Sequence, residues 1–195
     1  MLELTIFNII SFFLIFFVGL PHGSFDGAIA ILVGFKTKFQ FIQFLLYYVL
    51  LSFFVILFWI YFPILALFIF LLMTIVHFGL CDWTNFKIQK YKYPVTFTYG
   101  MTIIFGIIFF NENESFKIFE YLTNTNIYFF KSYFFIAYFL TFFSIVYFLY
   151  LSFYEKKLRI GIIELLFLLL VFYLFDPLLS FSIYFCFFHT YKHLK

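Results

Sequence analysis

The sequence predicts an all-α, polytopic membrane helical bundle of about seven spanning helices, with a re-entrant segment near residues 22–36. Three observations carry this. Of 195 residues, 66% are hydrophobic and 11% charged, against roughly 45–50% apolar and about 25% charged in an ordinary soluble domain. Apolar runs near spanning length recur along the whole chain, punctuated by charge or proline. Lys and Arg fall almost entirely on one side of those runs. Too little polar surface remains to wet a soluble fold, which excludes a globular cytosolic domain, a disordered tail and a nucleic-acid-binding module. Residues 1–195 read as one integral-membrane domain. Net charge +3 is small, and Cys81 and Cys186 form neither a CxxC motif nor a disulfide framework. Forty Phe beside a single Arg is the bias that AT-rich codons produce, so phenylalanine content alone carries no functional weight.

The first apolar run covers about 4–20 and closes on Gly19-Leu20-Pro21-His22-Gly23. It lacks the basic start and the small-residue cleavage site of a signal peptide. The apolar piece at about 25–35 is too short to span and reads as re-entrant or interfacial. Full runs follow at 40–61 and 64–80, parted by Pro63, and another at 95–110 after a polar stretch. A long loop is expected over 111–130. Runs at 131–153, 160–175 and 178–194 complete the chain, the last two joined by a tight Asp176-Pro177 turn. With seven spans, the loops 22–39, 81–94 and 154–159 and the C-terminus share a side that holds ten of the twelve Lys and Arg. The other side holds Lys117 and Lys131. The positive-inside rule makes the basic side cytoplasmic, in the inner (plasma) membrane.

All four histidines sit at that basic end of their spans. His22 closes the first run, His77 lies near the end of the 64–80 run, and His189 and His193 lie on the last. A single His at a membrane boundary can simply mark a polar edge. Four at one level, with none elsewhere, point to a shared site, because ionisable groups at membrane depth are functional by default. His189 and His193 are spaced i, i+4, which puts their Cβ atoms about 5–6 Å apart on one helix face. That spacing suits two ligands of one metal ion.

His22 and His77 are each followed by Gly-x-x-Asp, ending at Asp26 and Asp82. Glycine admits a close backbone neighbour, and a carboxylate one turn on can accept the far N–H of a ligating imidazole. A helix cap or an interfacial charge is the plainer explanation of either Asp. Glu164 lies inside an apolar run and needs a partner. Counting back across the Asp176-Pro177 turn sets it opposite residues near 189, about 6 Å into its span at 1.5 Å per residue. Four neutral imidazoles leave a metal's charge uncompensated, and Asp26, Asp82 and Glu164 would offset it. Imidazole suits Fe, Cu, Zn and Ni, so spacing does not choose among them.

These residues also form three ordered motifs. Gly19-Leu20-Pro21-His22-Gly23-Ser24-Phe25-Asp26 resembles the GLPHGxxD motif of the Brp/Blh family of membrane-bound β-carotene 15,15′-dioxygenases. His77-Phe78-Gly79-Leu80-Cys81-Asp82 resembles its HFGxxD motif, and Tyr184 to His193 is similar to its YFxxxHxxxH motif. The resemblance implies O2-dependent cleavage of the central double bond of β-carotene to two retinals, at a non-haem Fe(II) held by His22, His77, His189 and His193. It also implies a carotenoid substrate drawn from the lipid bilayer and a product that can supply a rhodopsin. Phe188 stands where the family commonly has Trp, and Lys192 where it commonly has Arg. Members of the family continue past the third motif with further helices, so part of the substrate tunnel is expected outside this sequence.

Phe25, Phe78, Trp83, Tyr184 and Phe185, next to the motifs, are the aromatic candidates to stack on a polyene. Ordinary packing explains any one of them in a chain this rich in Phe. No general acid or base is expected beyond the metal ligands. The rival functions are a bis-His haem b electron-transfer protein, a histidine-box di-iron enzyme and a non-catalytic membrane protein, including an inactive family member. Two haems disagree with four histidines on one side, and di-iron histidine-box enzymes carry about twice as many His.

Overall fold

The computed structural model describes residues 5–19, 21, 26–83 and 91–193, without the side chains of Trp83 and His193. Every regular element among these residues is helical. Helix α1 (Ile6–Leu14) runs on through a π-helical turn, Ile15–Gly19. It is followed by α2 (Asp26–Val33), α3 (Lys38–Tyr61), α4 (Pro63–Trp83) and α5 (Lys92–Phe110). Then come α6 (Glu112–Thr123), α7 (Lys131–Tyr154) and α8 (Leu158–Leu174). The last helix is built in three pieces: α9 (Pro177–Ile183), a second π-helical turn (Tyr184–His189) and α10 (Thr190–His193).

The punctuation read from the sequence is where these helices break. Pro63 opens α4, a position that needs no N–H donor, directly after α3 ends. Asp176 caps α9, accepting from the backbone N–H of Leu178 (3.0 Å) and Leu179 (2.9 Å), with Pro177 in the first turn. Thr37 and Gln40 form a reciprocal capping box at the start of α3.

Among the described residues, four helices are long and apolar enough to cross a membrane: α3, α4, α5 and α7 with its preceding turn. α8 has 17 residues, at the lower limit of about 17–25 for a span, and the π turns divide the first and last helices. The expected loop at 111–130 is instead largely the helix α6, followed by a short 3-10 turn, Tyr128–Phe130. α6 buries Ser115, Phe116, Phe119 and Thr123 on one face and keeps Glu112 and Glu114 in its first turn, where acidic groups favour the helix dipole. Its polar residues mask a helical period that only appears once the buried face is known.

The core is centred on α5, which packs against α4, α6, α7, α8 and α9. α5 is the least apolar of the four long helices and the most buried, whereas α3 buries no residue at all. Small and hydroxylated side chains explain the inversion. In lipid they draw helices together, since tail and Leu are equally apolar. A Cβ on Gly79 of α4 would lie 2.2 Å from the Thr96 carbonyl oxygen of α5, and one on Gly100 of α5 would lie 1.9 Å from the Ile75 carbonyl oxygen of α4. The two glycines let these backbones touch, as the Gly of the His77 motif predicts. Thr98 and Thr102 turn their hydroxyls back onto the carbonyls of Pro94 and Thr98, so each is satisfied within the helix.

Candidate metal centre

His189 lies at the end of the second π-helical turn, and its side chain is fully buried. π-turns are rare and concentrate at functional sites, because the extra residue re-aims the side chains that follow. The His189 Nδ1 lies 2.8 Å from Asp82 Oδ1, and the Tyr184 hydroxyl donates to the other carboxylate oxygen of Asp82 at 2.9 Å. Asp82, too, is fully buried. It comes from the last turn of α4, so one carboxylate ties α4 to the C-terminal helix at two points.

His77, also on α4, brings its ring centroid to 5.1 Å from that of His189. Its Nδ1 lies 3.6 Å from Cys81 Sγ, one turn on. Phe78 meets His189 edge-on at 4.8 Å, and Phe185, itself packed on Phe78, stacks on the imidazole at 5.6 Å with planes 13° apart. The ring of His189 is therefore held by one carboxylate and two aromatic walls.

The donor chemistry fits a metal. With a metal–nitrogen bond of about 2.1 Å, two imidazoles sharing one ion at cis positions place their ring centres about 5 Å apart, as His77 and His189 do. Both rings engage a neighbour through Nδ1, so a shared ion would be met through Nε2, and carboxylate support at Nδ1 is the usual partner of a ligating His. Among the described residues no group of three or more His, Cys, Asp or Glu converges on one ion. Of the other two expected ligands, His22 and the side chain of His193 lie outside the described residues. The backbone around them is informative. Gly19 packs so tightly on the C-terminal helix that a Cβ there would lie 2.4 Å from the Phe185 ring, and the Cys186 thiol donates to the Leu14 carbonyl at 3.2 Å. The segment ending three residues before His22 thus lies against the helix of His189.

The structure gives each of the expected site residues specific surroundings. Asp82, expected to accept from an imidazole N–H, meets His189 across the helix interface, because its carboxylate at the end of α4 points toward the neighbouring helix. Tyr184 is fully buried and hydrogen-bonded to Asp82, so it anchors the carboxylate where a substrate-lining aromatic was expected. Phe78 and Phe185 pack on the imidazole, while Phe25 and the side chain of Trp83 lie outside the described residues. Asp26 accepts from the Tyr48 hydroxyl at 3.3 Å and lines a shallow apolar cleft of about 230 Å³ between α2 and α3. Glu164 is at the expected level of the C-terminal helix. Its described partners, however, are Lys192 and the hydroxyl of Tyr99 on α5, neither of them an imidazole. Tyr99 and Lys192 were not singled out as site residues from the sequence. A lysine inside an apolar helix, one turn from His189 and opposite the lone Glu164, was the available signal.

These features define a helical membrane protein with a buried imidazole–carboxylate centre between α4 and the C-terminal helix. The beta-carotene 15,15'-dioxygenase family model matches residues 13–195, and the chain belongs to that family. It is 30% identical over 184 residues to a beta-carotene 15,15'-dioxygenase from uncultured marine bacterium 66A03. That match covers 93% of this chain and 66% of the relative, so the chain spans just under two thirds of the relative's length. No solved structure matches.

Proposed function

We propose that this protein cleaves the central 15,15′ double bond of β-carotene or a related carotenoid with O2, giving two molecules of retinal. The observation that carries the reading is the pair of adjacent imidazoles, His77 and His189, with Asp82 clamping His189, in a chain of this family. One carbon–carbon double bond and one O2 balance to two aldehydes, so no further oxidant or proton donor is needed. The residues that would hold a non-haem Fe(II) are His22, His77, His189 and His193, and the bound iron would supply the dioxygen chemistry. Asp82 keeps the His189 ring in one tautomer and one orientation, and Tyr184 in turn fixes Asp82. Phe78 and Phe185 exclude water from the same ring and present aromatic surface that a polyene can meet. Asp26 and Glu164 are assigned electrostatic support of the centre at longer range.

The substrate is a long hydrocarbon dissolved in the bilayer, which suits a site reached sideways between helices. We assign the chain seven spans in the inner membrane, with the metal centre in the cytoplasmic half, from the distribution of Lys and Arg. The retinal formed there is available to a rhodopsin in the same membrane. Expression in a β-carotene-producing bacterium tests the activity. Loss of carotenoid colour with accumulation of retinal is expected, and both should disappear on replacing His77 by Ala. Unchanged carotenoid in cells that make folded wild-type protein would refute the reading. A haem absorption band in the purified protein would point instead to the bis-His electron-transfer alternative.

A further inference from the structure

The Lys192 ammonium, on the helix of the proposed ligands, is paired with the Glu164 carboxylate of α8. It also donates to the Tyr99 hydroxyl at 3.1 Å and stands 4.7 Å from the centre of that ring. Tyr99 donates to Glu164. A polar cluster of Lys192, Glu164 and Tyr99 therefore stands one turn along the C-terminal helix from His189 and the Asp82 carboxylate that supports it. It is enclosed by α4, α5, α8 and the C-terminal helix, and the Lys192 and Glu164 side chains are each 17% exposed. Charges this close in an apolar surround interact far more strongly than in water.

We infer that Glu164 and Lys192 are electrostatic positioning residues of the metal centre: Glu164 cancels a lysine charge that the ligating helix carries beside its own histidines. The inference rests on the metal reading above. Asp82 and Glu164 against Lys192 leave a net single negative charge facing the imidazoles, which favours a dication held by neutral ligands. Without Glu164 the same cluster is neutral, and the ammonium loses the carboxylate paired with it. Without Lys192 it carries two negative charges. A purely mechanical tie between α8 and the C-terminal helix has the opposite signature, because losing either partner breaks it equally.

The experiment is chelator competition for Fe(II) on the full purified chain in detergent, with folding checked by circular dichroism and size exclusion. Glu164→Gln should bind iron at least about tenfold more weakly, the scale on which partners of ligating residues act. Lys192→Met should bind no more weakly than wild type, and the double variant Glu164→Gln/Lys192→Met should return to within about threefold of wild type. Lys192→Arg, which keeps the charge, should behave as wild type. If Lys192→Met loses as much affinity as Glu164→Gln, or the double variant is as weak as Glu164→Gln alone, charge compensation is wrong. Should Glu164→Gln fail to fold, recovery of folded, iron-binding protein in the double variant supports the inference and its absence overturns it. Wild-type protein that binds no iron, or a His77→Ala control that binds as well as wild type, sinks the metal reading itself.

Discussion

Asp82 is the residue on which the site turns. Its two oxygens are divided between His189 and Tyr184, each buried and each from the C-terminal helix. Asp82→Asn keeps the shape and can still accept from Nδ1, but it loses the charge that makes the imidazole a strong donor to a metal. Its folded yield should match wild type while Fe(II) affinity falls about 10–100-fold, as read by the same chelator titration. Tyr184→Phe removes one hydrogen bond and leaves the carboxylate in place, so a smaller loss is expected. An Asp82→Asn protein with wild-type affinity would remove the carboxylate from the centre. The sequence showed Asp82 as one turn beyond His77, and its true partner, 107 positions away, was invisible because the pairing is made by helix packing.

Among the elements, the α4–α5 pair positions His77 and Asp82, and its two glycines set how closely the helices approach. Gly100→Ala would place a Cβ 1.9 Å from a backbone oxygen, whereas Gly106→Ala on the same helix would meet the Phe172 ring at 3.1 Å. A ring edge can shift slightly, but a helix backbone cannot do so without moving α4. Gly100→Ala should therefore lower stability by at least about 1–3 kcal/mol, measured as thermal unfolding in detergent, and Gly106→Ala by clearly less. Equal losses would show that helix contact there is loose. At the start of α9, Asp176→Ala removes the cap of the histidine-bearing helix and should cost about 0.5–2 kcal/mol without changing iron stoichiometry.

For the whole molecule, the proposed metal would join ligands that are distant in sequence, from His22 to His193. A ligand that binds only the folded state stabilises it by mass action, about 2.7 kcal/mol at a hundredfold excess over its dissociation constant. Iron should accordingly raise the unfolding temperature of wild-type protein, a chelator should reverse that shift, and His77→Ala should abolish it. An equal iron shift in His77→Ala would mean binding elsewhere. The membrane path has its own test. Reporter fusions at Lys90 and Lys157 should score cytoplasmic and one at Glu114 should score on the opposite side; a cytoplasmic Glu114 would contradict the seven-span path and the shared level of the four histidines.

From composition and pattern alone, the sequence determined that the chain is helical and suited to a membrane, where Pro63 and Asp176-Pro177 break it, and which residues make up its three motifs. Those properties depend on local chemistry: apolar length, missing donors, capping side chains and the spacing of residues along one helix. Only the tertiary structure decided that α5 lies at the centre and α3 at the edge, that 111–130 folds as the amphipathic helix α6, and that Asp82 serves His189. It also decided that Glu164 answers Lys192 and Tyr99. In lipid an apolar surface does not choose its neighbours, so helix order is set by a few glycines, hydroxyls and buried charges. Their partners lie on other helices, and no periodicity within one segment can reveal them.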